Sequence, residues 1–121
     1  MCESPAVKIE PFPQYLGEHE NQYAFAYTIH ITNESATTIR LRNRHWIITH
    51  GNGHQEEVAG EGVVGETPEL PPGARYSYTS GAFLPTRTGS MQGSYGFTDA
   101  EGREFRVPIP EFALLVPDAL N

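Results

Sequence analysis

The sequence predicts an all-β protein, a two-sheet antiparallel β-sandwich of about seven or eight short strands. Three observations carry that expectation. Tyr23, Phe25, Tyr27, Ile29 and Ile31 alternate with Ala24, Ala26, Thr28, His30 and Thr32, the period of two that a strand with one buried face requires. No window of about 10 to 12 residues holds an apolar stripe at helical spacing. The 12 glycines and 10 prolines fall mostly between the alternating runs, where turns need them.

The remaining elements follow in order. Asn33, Glu34 and Ser35 supply turn residues, and the chain returns as TTIRLRNRHWIIT (37–49), rich in β-branched and aromatic side chains. Its inward parity changes midway, because Ile39 and Leu41 lie on one side of the pleat whereas Trp46 and Ile48 lie on the other. A bulge near Asn43 is expected to restore a common inward face, with Trp46 in the core. Gly51-Asn52-Gly53 accept positive φ and read as a tight hairpin into HQEEV (54–58). Tyr76 and Tyr78 then alternate with Arg75, Ser77 and Thr79, and Met91, Gly93, Tyr95 and Phe97 share one face. The turn Asp99-Ala100-Glu101-Gly102 brings the chain back as EFRVPI (104–109), with Phe105, Val107 and Ile109 together. No repeat, linker or low-complexity segment divides the sequence, so residues 1–121 are expected to form one domain.

Composition narrows the function classes. A chain of 121 residues can bury about two thirds of its unfolded surface, enough for a core of its own. A formal net charge of -7 opposes non-specific binding to nucleic acid or to an anionic membrane. The single cysteine, Cys2, cannot make an internal disulfide. MCESPAVKIE at the start carries Glu3 and lacks the apolar core of a secretory signal, and the run Phe112 to Val116 falls far short of the roughly 20 residues of a membrane span. A cytoplasmic location, no membrane or nucleic-acid partner and no cofactor are therefore expected.

Gly60, Gly62 and Gly65 have the G-x-G-x-x-G spacing of dinucleotide-binding turns. That chemistry needs a helix N-terminus facing the pyrophosphate, and Pro68, Pro71 and Pro72 forbid a helix here, while Glu66 and Glu69 put negative charge where phosphates would sit. A dinucleotide site is excluded. A glycine-rich loop can still form an anion-binding nest, and Arg40, Arg42 and Arg44, read as sharing one strand face, can grip phosphate bidentately. The small-ligand reading is thus a site for pyrophosphate or a nucleoside polyphosphate made of Gly60, Gly62, Gly65, Arg40, Arg42 and Arg44. The alternative use of the arginines is to guard an edge strand or pair with surface carboxylates.

His45, His50 and His54 raise a metal question. The Gly51–Gly53 hairpin should bring His50 and His54 side by side across two strands, a candidate site for cobalt, nickel or zinc rather than magnesium. His45 belongs to the other side of the pleat unless the bulge intervenes, and the alternative is a set of exposed turn histidines. Ser80, Ser90 and Ser94 lie in no G-x-S-x-G and have no evident base, and Glu56 and Glu57 alternate across a strand, so no catalytic constellation assembles and no enzymatic activity is expected.

The motifs RHWIIT (44–49), GEGVVGETPELPPG (60–73), YTSGAFL (78–84), GSMQGSYGF (89–97) and VPIPEFAL (107–114) resemble, in matching order, those of the bacterial ApaG family. The resemblance implies a fibronectin type III-like, immunoglobulin-like β-sandwich. It also implies an association with magnesium and cobalt homeostasis, and a gene often neighbouring that of a diadenosine tetraphosphate hydrolase. Related eukaryotic domains, in an F-box protein and in a DNA-polymerase-interacting protein, look like protein-interaction modules, so a protein partner is expected. One position departs from the family pattern: the hairpin after RHWIIT usually begins with Asp, and here it begins with His50.

Overall fold

The fold is that of a computed structural model, which describes residues 6–117. The expectations attached to Cys2 and Glu3 lie outside the described residues. Eight strands run in chain order: β1 (Val7–His19), β2 (Gln22–Asn33), β3 (Ile39–His50), β4 (Gln55–Glu61), β5 (Glu69–Leu70), β6 (Arg75–Leu84), β7 (Thr88–Thr98) and β8 (Glu104–Leu115). They form two antiparallel sheets, one ordered β1-β2-β6 and the other β4-β3-β7-β8, with β5 also pairing β3. Among the described residues no helix is long and apolar enough to cross a membrane.

The alternating residues of β2 explain the core. Phe25, Tyr27, Ile29 and Ile31 are buried, and they face Trp46, Tyr95 and Phe112 from the opposite sheet. The Tyr27 and Trp46 rings meet edge to face with centroids 5.5 Å apart, and Trp46 meets Tyr95 at 6.1 Å and Phe112 at 6.0 Å. Each such pair adds roughly 0.5–1.5 kcal/mol beyond its burial. Trp46 is thus the central core residue its position in the sequence predicts.

The bulge expected near Asn43 lies between Leu41 and Asn43, leaving Arg42 as the extra residue. It inverts the parity of β3, so Leu41 opposite Phe97 and Trp46 opposite Gly93 both point inward. Both predicted hairpins form. His50 N–H donates to the His54 carbonyl around Gly53 at φ 90°, and Asp99 N–H donates to the Arg103 carbonyl around Gly102 at φ 81°.

Two elements escaped the sequence reading. β1 contains Pro11 and Pro13, which demote a run in any sequence-based reading, yet both sit in a strand that pairs only β2. β5 is two residues long and is held in place by Asn33, which is fully buried. The Asn33 Nδ2 donates to the carbonyls of Thr37 (2.8 Å) and Leu70 (2.9 Å), and its Oδ1 accepts from Ser35 N–H and Oγ–H. What reads as a turn asparagine is the pin joining β2, the 34–38 turn and β5.

Candidate functional site

The glycine loop and the arginine strand do meet, in a way that changes their meaning. Gly62 and Gly65 have φ of 64° and 81°, the left-handed region that favours glycine. A Cβ on Gly62 would fall 2.3 Å from the Glu66 carbonyl oxygen. Gly62 N–H donates to the Arg42 carbonyl, while Val63 and Glu66 exchange both backbone bonds at 2.8 Å. Three amides of a would-be nest are thereby spent on a closed turn.

The arginines hold that turn by its carbonyls. Arg44 Nη1 donates to the Glu61 carbonyl (3.1 Å) and the Gly62 carbonyl (3.0 Å), and Arg40 Nη1 donates to the Thr67 carbonyl (2.8 Å) with Glu69 3.8 Å from its Nη2. Gly60 lies opposite Arg44, and a side chain there would reach within 3.0 Å of the guanidinium. Gly60 leaves the room in which Arg44 lies.

The shared face of Arg40, Arg42 and Arg44 requires correction. Arg40 pairs Thr98 on the outer face, Arg42 is the bulge residue, and Arg44 pairs the buried Tyr95 on the inner face. Cross-strand partners share a side of the sheet, so the bulge puts Arg44 on the face opposite Arg40. The same inversion that brings Trp46 inward turns Arg44 toward the core. There it lies near a buried pair, Tyr78 and Tyr95, whose hydroxyls hydrogen-bond each other. Burial pushes both hydroxyls above the ordinary tyrosine range, and the Arg44 cation pulls the other way.

His50 and His54 do come together, with ring centroids 5.2 Å apart. His50 is buried rather than exposed, and its Nε2 lies 2.6 Å from Glu56 Oε1. His45 turns to the other face, where its Nε2 lies 2.6 Å from Glu57 Oε2. Glu56 and Glu57 therefore serve opposite faces, as alternation requires. Among the described residues no group of three His, Cys, Asp or Glu converges on a point that could hold a metal ion.

Ser90 and Ser94 are occupied too. Ser90 Oγ donates to Glu111 Oε2 at 3.1 Å, and Ser94 Oγ accepts from Arg106 Nε at 3.0 Å. Ser77, which the sequence did not single out, meets His30 Nδ1 at 2.5 Å. It is one rung of a regular series on the outer face of β2 and β6, with Thr28–Thr79 at 2.8 Å and Arg75 Nε donating to Thr32 Oγ1 at 3.3 Å. Repetition at every second residue is how cross-strand pairs stabilise a sheet.

The ApaG domain pattern matches residues 13–99. The chain belongs to the ApaG family. Protein ApaG of Pseudomonas aeruginosa (strain LESB58) is 49% identical over 109 residues, covering 90% of this chain and 86% of that protein. Protein ApaG of Klebsiella pneumoniae (strain 342) is 43% identical over 125 residues and covers both chains fully. The crystal structure of a putative ApaA protein from Bordetella pertussis superposes with a TM-score of 0.90 at 43% identity, covering 93% of this chain and 95% of that one. The resemblance inferred from the motifs is thus shown over nearly the whole length, and the family fold agrees with the two-sheet sandwich.

Among the described residues the four longer edge strands differ in how they are closed. β1 carries Pro11 and Pro13 and β8 carries Pro108 and Pro110, and these two strands pack against each other. β4 carries Glu56, Glu57 and Glu61. Proline and charge are the usual means of preventing edge-to-edge pairing. β6 pairs only β2, and from Tyr76 to Leu84 it has neither charge nor proline.

Proposed function

We propose that this ApaG family member is a non-enzymatic binding and regulatory module that docks a partner protein by accepting an extended segment alongside β6. One observation carries the reading: among the described residues, β6 alone of the edge strands longer than two residues lacks both proline and a run of acidic residues. Strand addition draws affinity from main-chain hydrogen bonds and specificity from flanking side chains. Phe83 supplies an anchor, since it is 55% exposed at the end of β6 opposite Ala24. The family's association with magnesium and cobalt homeostasis points to a cytoplasmic partner acting in divalent-cation balance. The non-enzymatic reading rests on Ser90 and Ser94 being committed to side-chain hydrogen bonds.

The small-ligand reading, polyphosphate at Gly60, Gly62 and Gly65, draws less support, because Arg40 and Arg44 spend their donors on the loop's own carbonyls. To test the docking reading, a photo-crosslinking residue is placed at Thr79 and, as control, at Glu57 on β4. A discrete adduct from position 79 that is absent at 57, and that disappears when Phe83→Ser is added, is the expected result. Equal labelling at both positions would discard β6 as the docking edge.

A further inference from the structure

We propose a ligand site for a phosphoryl group on the outer face of the β4-β3-β7-β8 sheet, built on Arg42 and Arg106. The chain holds eight basic residues against 15 acidic ones. Lys8, Arg40, Arg75 and Arg103 lie within ion-pair distance of carboxylates, Arg44 is spent on backbone carbonyls, and Arg87 lies over the Tyr23 ring. Among the described residues Arg42 and Arg106 meet no carboxylate at that distance. Both line one hollow of about 250 Å³, together with Asn43, Gly96, Thr98 and Glu104. Two guanidinium groups left without a counter-ion in one concavity of an acidic protein form a place for an anion.

The donors are held in position. Arg106 Nε donates to Ser94 Oγ (3.0 Å) and Nη1 to Asn43 Oδ1 (2.9 Å), which fixes the guanidinium across Gly96. A Cβ on Gly96 would fall 2.8 Å from Arg106 Nη1 and 2.4 Å from Asn43 Oδ1, so glycine leaves the space in which the pair lies. Those two bonds use two of the five guanidinium N–H groups, and the others remain to meet ligand oxygens. Asn43, with Oδ1 engaged, keeps its Nδ2 as a donor. The bulge takes Arg42 out of the ladder and exposes it at the same hollow.

Two forked cations and an amide donor suit a tetrahedral dianion, whose terminal oxygens accept several charge-assisted bonds, better than a carboxylate of single charge. Glu104 lines the same hollow and opposes the anion, which sets a weak affinity. The site lies on the sheet opposite β6, so it stands independently of the docking edge.

The test is a backbone-amide NMR titration at constant ionic strength with inorganic phosphate, phosphoserine, AMP and acetate. Saturable shifts at Arg42, Asn43, Gly96 and Arg106 with the phosphoryl compounds are expected, with acetate failing to saturate. Tighter binding of phosphoserine or AMP than of inorganic phosphate identifies a phosphorylated molecule as the ligand, whereas inorganic phosphate binding as well as either identifies the free ion. Arg42→Gln and Arg106→Gln should each weaken binding about tenfold, the loss expected for a charge-assisted bond, and Glu104→Gln should tighten it. The spectrum of each variant reports its fold directly, and Arg42→Gln alters only an exposed bulge residue. Drift without saturation, saturation by acetate, shifts centred on Gly60–Gly65, or unchanged affinity in a natively folded Arg42→Gln would each overturn the proposal.

Discussion

β4 and β6 are both edge strands with a single partner, and they are treated in opposite ways. β4 is acidic on both faces, with Glu57 and Glu56 hydrogen-bonded to His45 and His50, and the glycine turn that follows it is clamped by Arg44. β6 is tied inward and sideways, by Tyr78 to Tyr95 and by polar rungs to β2, yet its free edge carries no guard. The difference teaches that the residues with the most motif-like spacing hold a turn closed, whereas the plainest strand presents an edge without proline or acidic side chains. Conspicuous glycines closed a turn; unremarkable serines and threonines left an edge open.

The largest effect is expected where β4 leads into its turn. Gly62→Val places a branched side chain at positive φ and against the Glu66 carbonyl, and should cost about 3 kcal/mol or more in urea unfolding. Arg44→Ala orphans the carbonyls of Glu61 and Gly62 and should cost about 2 kcal/mol by the same measurement. If either variant kept wild-type stability, the clamp would not be structural, and the glycine turn would return as a ligand site.

The inner anchor of β6 comes next. Tyr78→Phe strands the buried Tyr95 hydroxyl and should cost roughly 1–3 kcal/mol, whereas Tyr78→Phe with Tyr95→Phe removes both partners and should recover most of that loss. The same pair sets an alkaline limit. Burial raises both hydroxyls, so the native state favours their neutral forms; the associated stability is complete below about pH 10, the ordinary tyrosine value, and falls as pH rises above it while the unfolded chain ionises. Thermal melts between pH 8 and 11 should show the decline beginning near pH 10, and the double phenylalanine variant should show less of it.

The smallest stability effects belong to the two edges. Ser77→Lys gives up one exposed rung and adds a guard, so its cost should stay within about 1 kcal/mol while crosslinking from position 79 is abolished. The converse change, Glu56→Gln with Glu57→Gln and Glu61→Gln, should alter stability by less still yet promote concentration-dependent association by removing the guards from β4. Light scattering would detect it, and its absence would mean that charge is not what closes that edge.

Much of the fold is legible from local pattern. The period-two run of β2 names its buried residues one by one, Gly51-Asn52-Gly53 and Asp99–Gly102 mark their hairpins, and the parity change of β3 locates a bulge to within one residue. β1 was hidden because Pro11 and Pro13 argue against a strand unless one knows it is an edge, and edge status is a property of the sheet. β5 was hidden because two residues carry no periodicity. At the candidate site, the neighbourhood of His50 and His54 followed from the turn, but the burial of His50 did not.

Side-chain alternation is a local consequence of the pleat, so the sequence by itself determined that the chain is all-β, which faces of β2, β7 and β8 are apolar, and where it turns. Only the tertiary structure decided what the arginines do. A one-residue bulge sends Arg40 outward, frees Arg42 and turns Arg44 inward, and Arg106, distant in sequence, joins Asn43 across Gly96. Those outcomes depend on inter-strand register and on which strand ends a sheet, quantities fixed by pairing between distant segments that no short window of sequence contains.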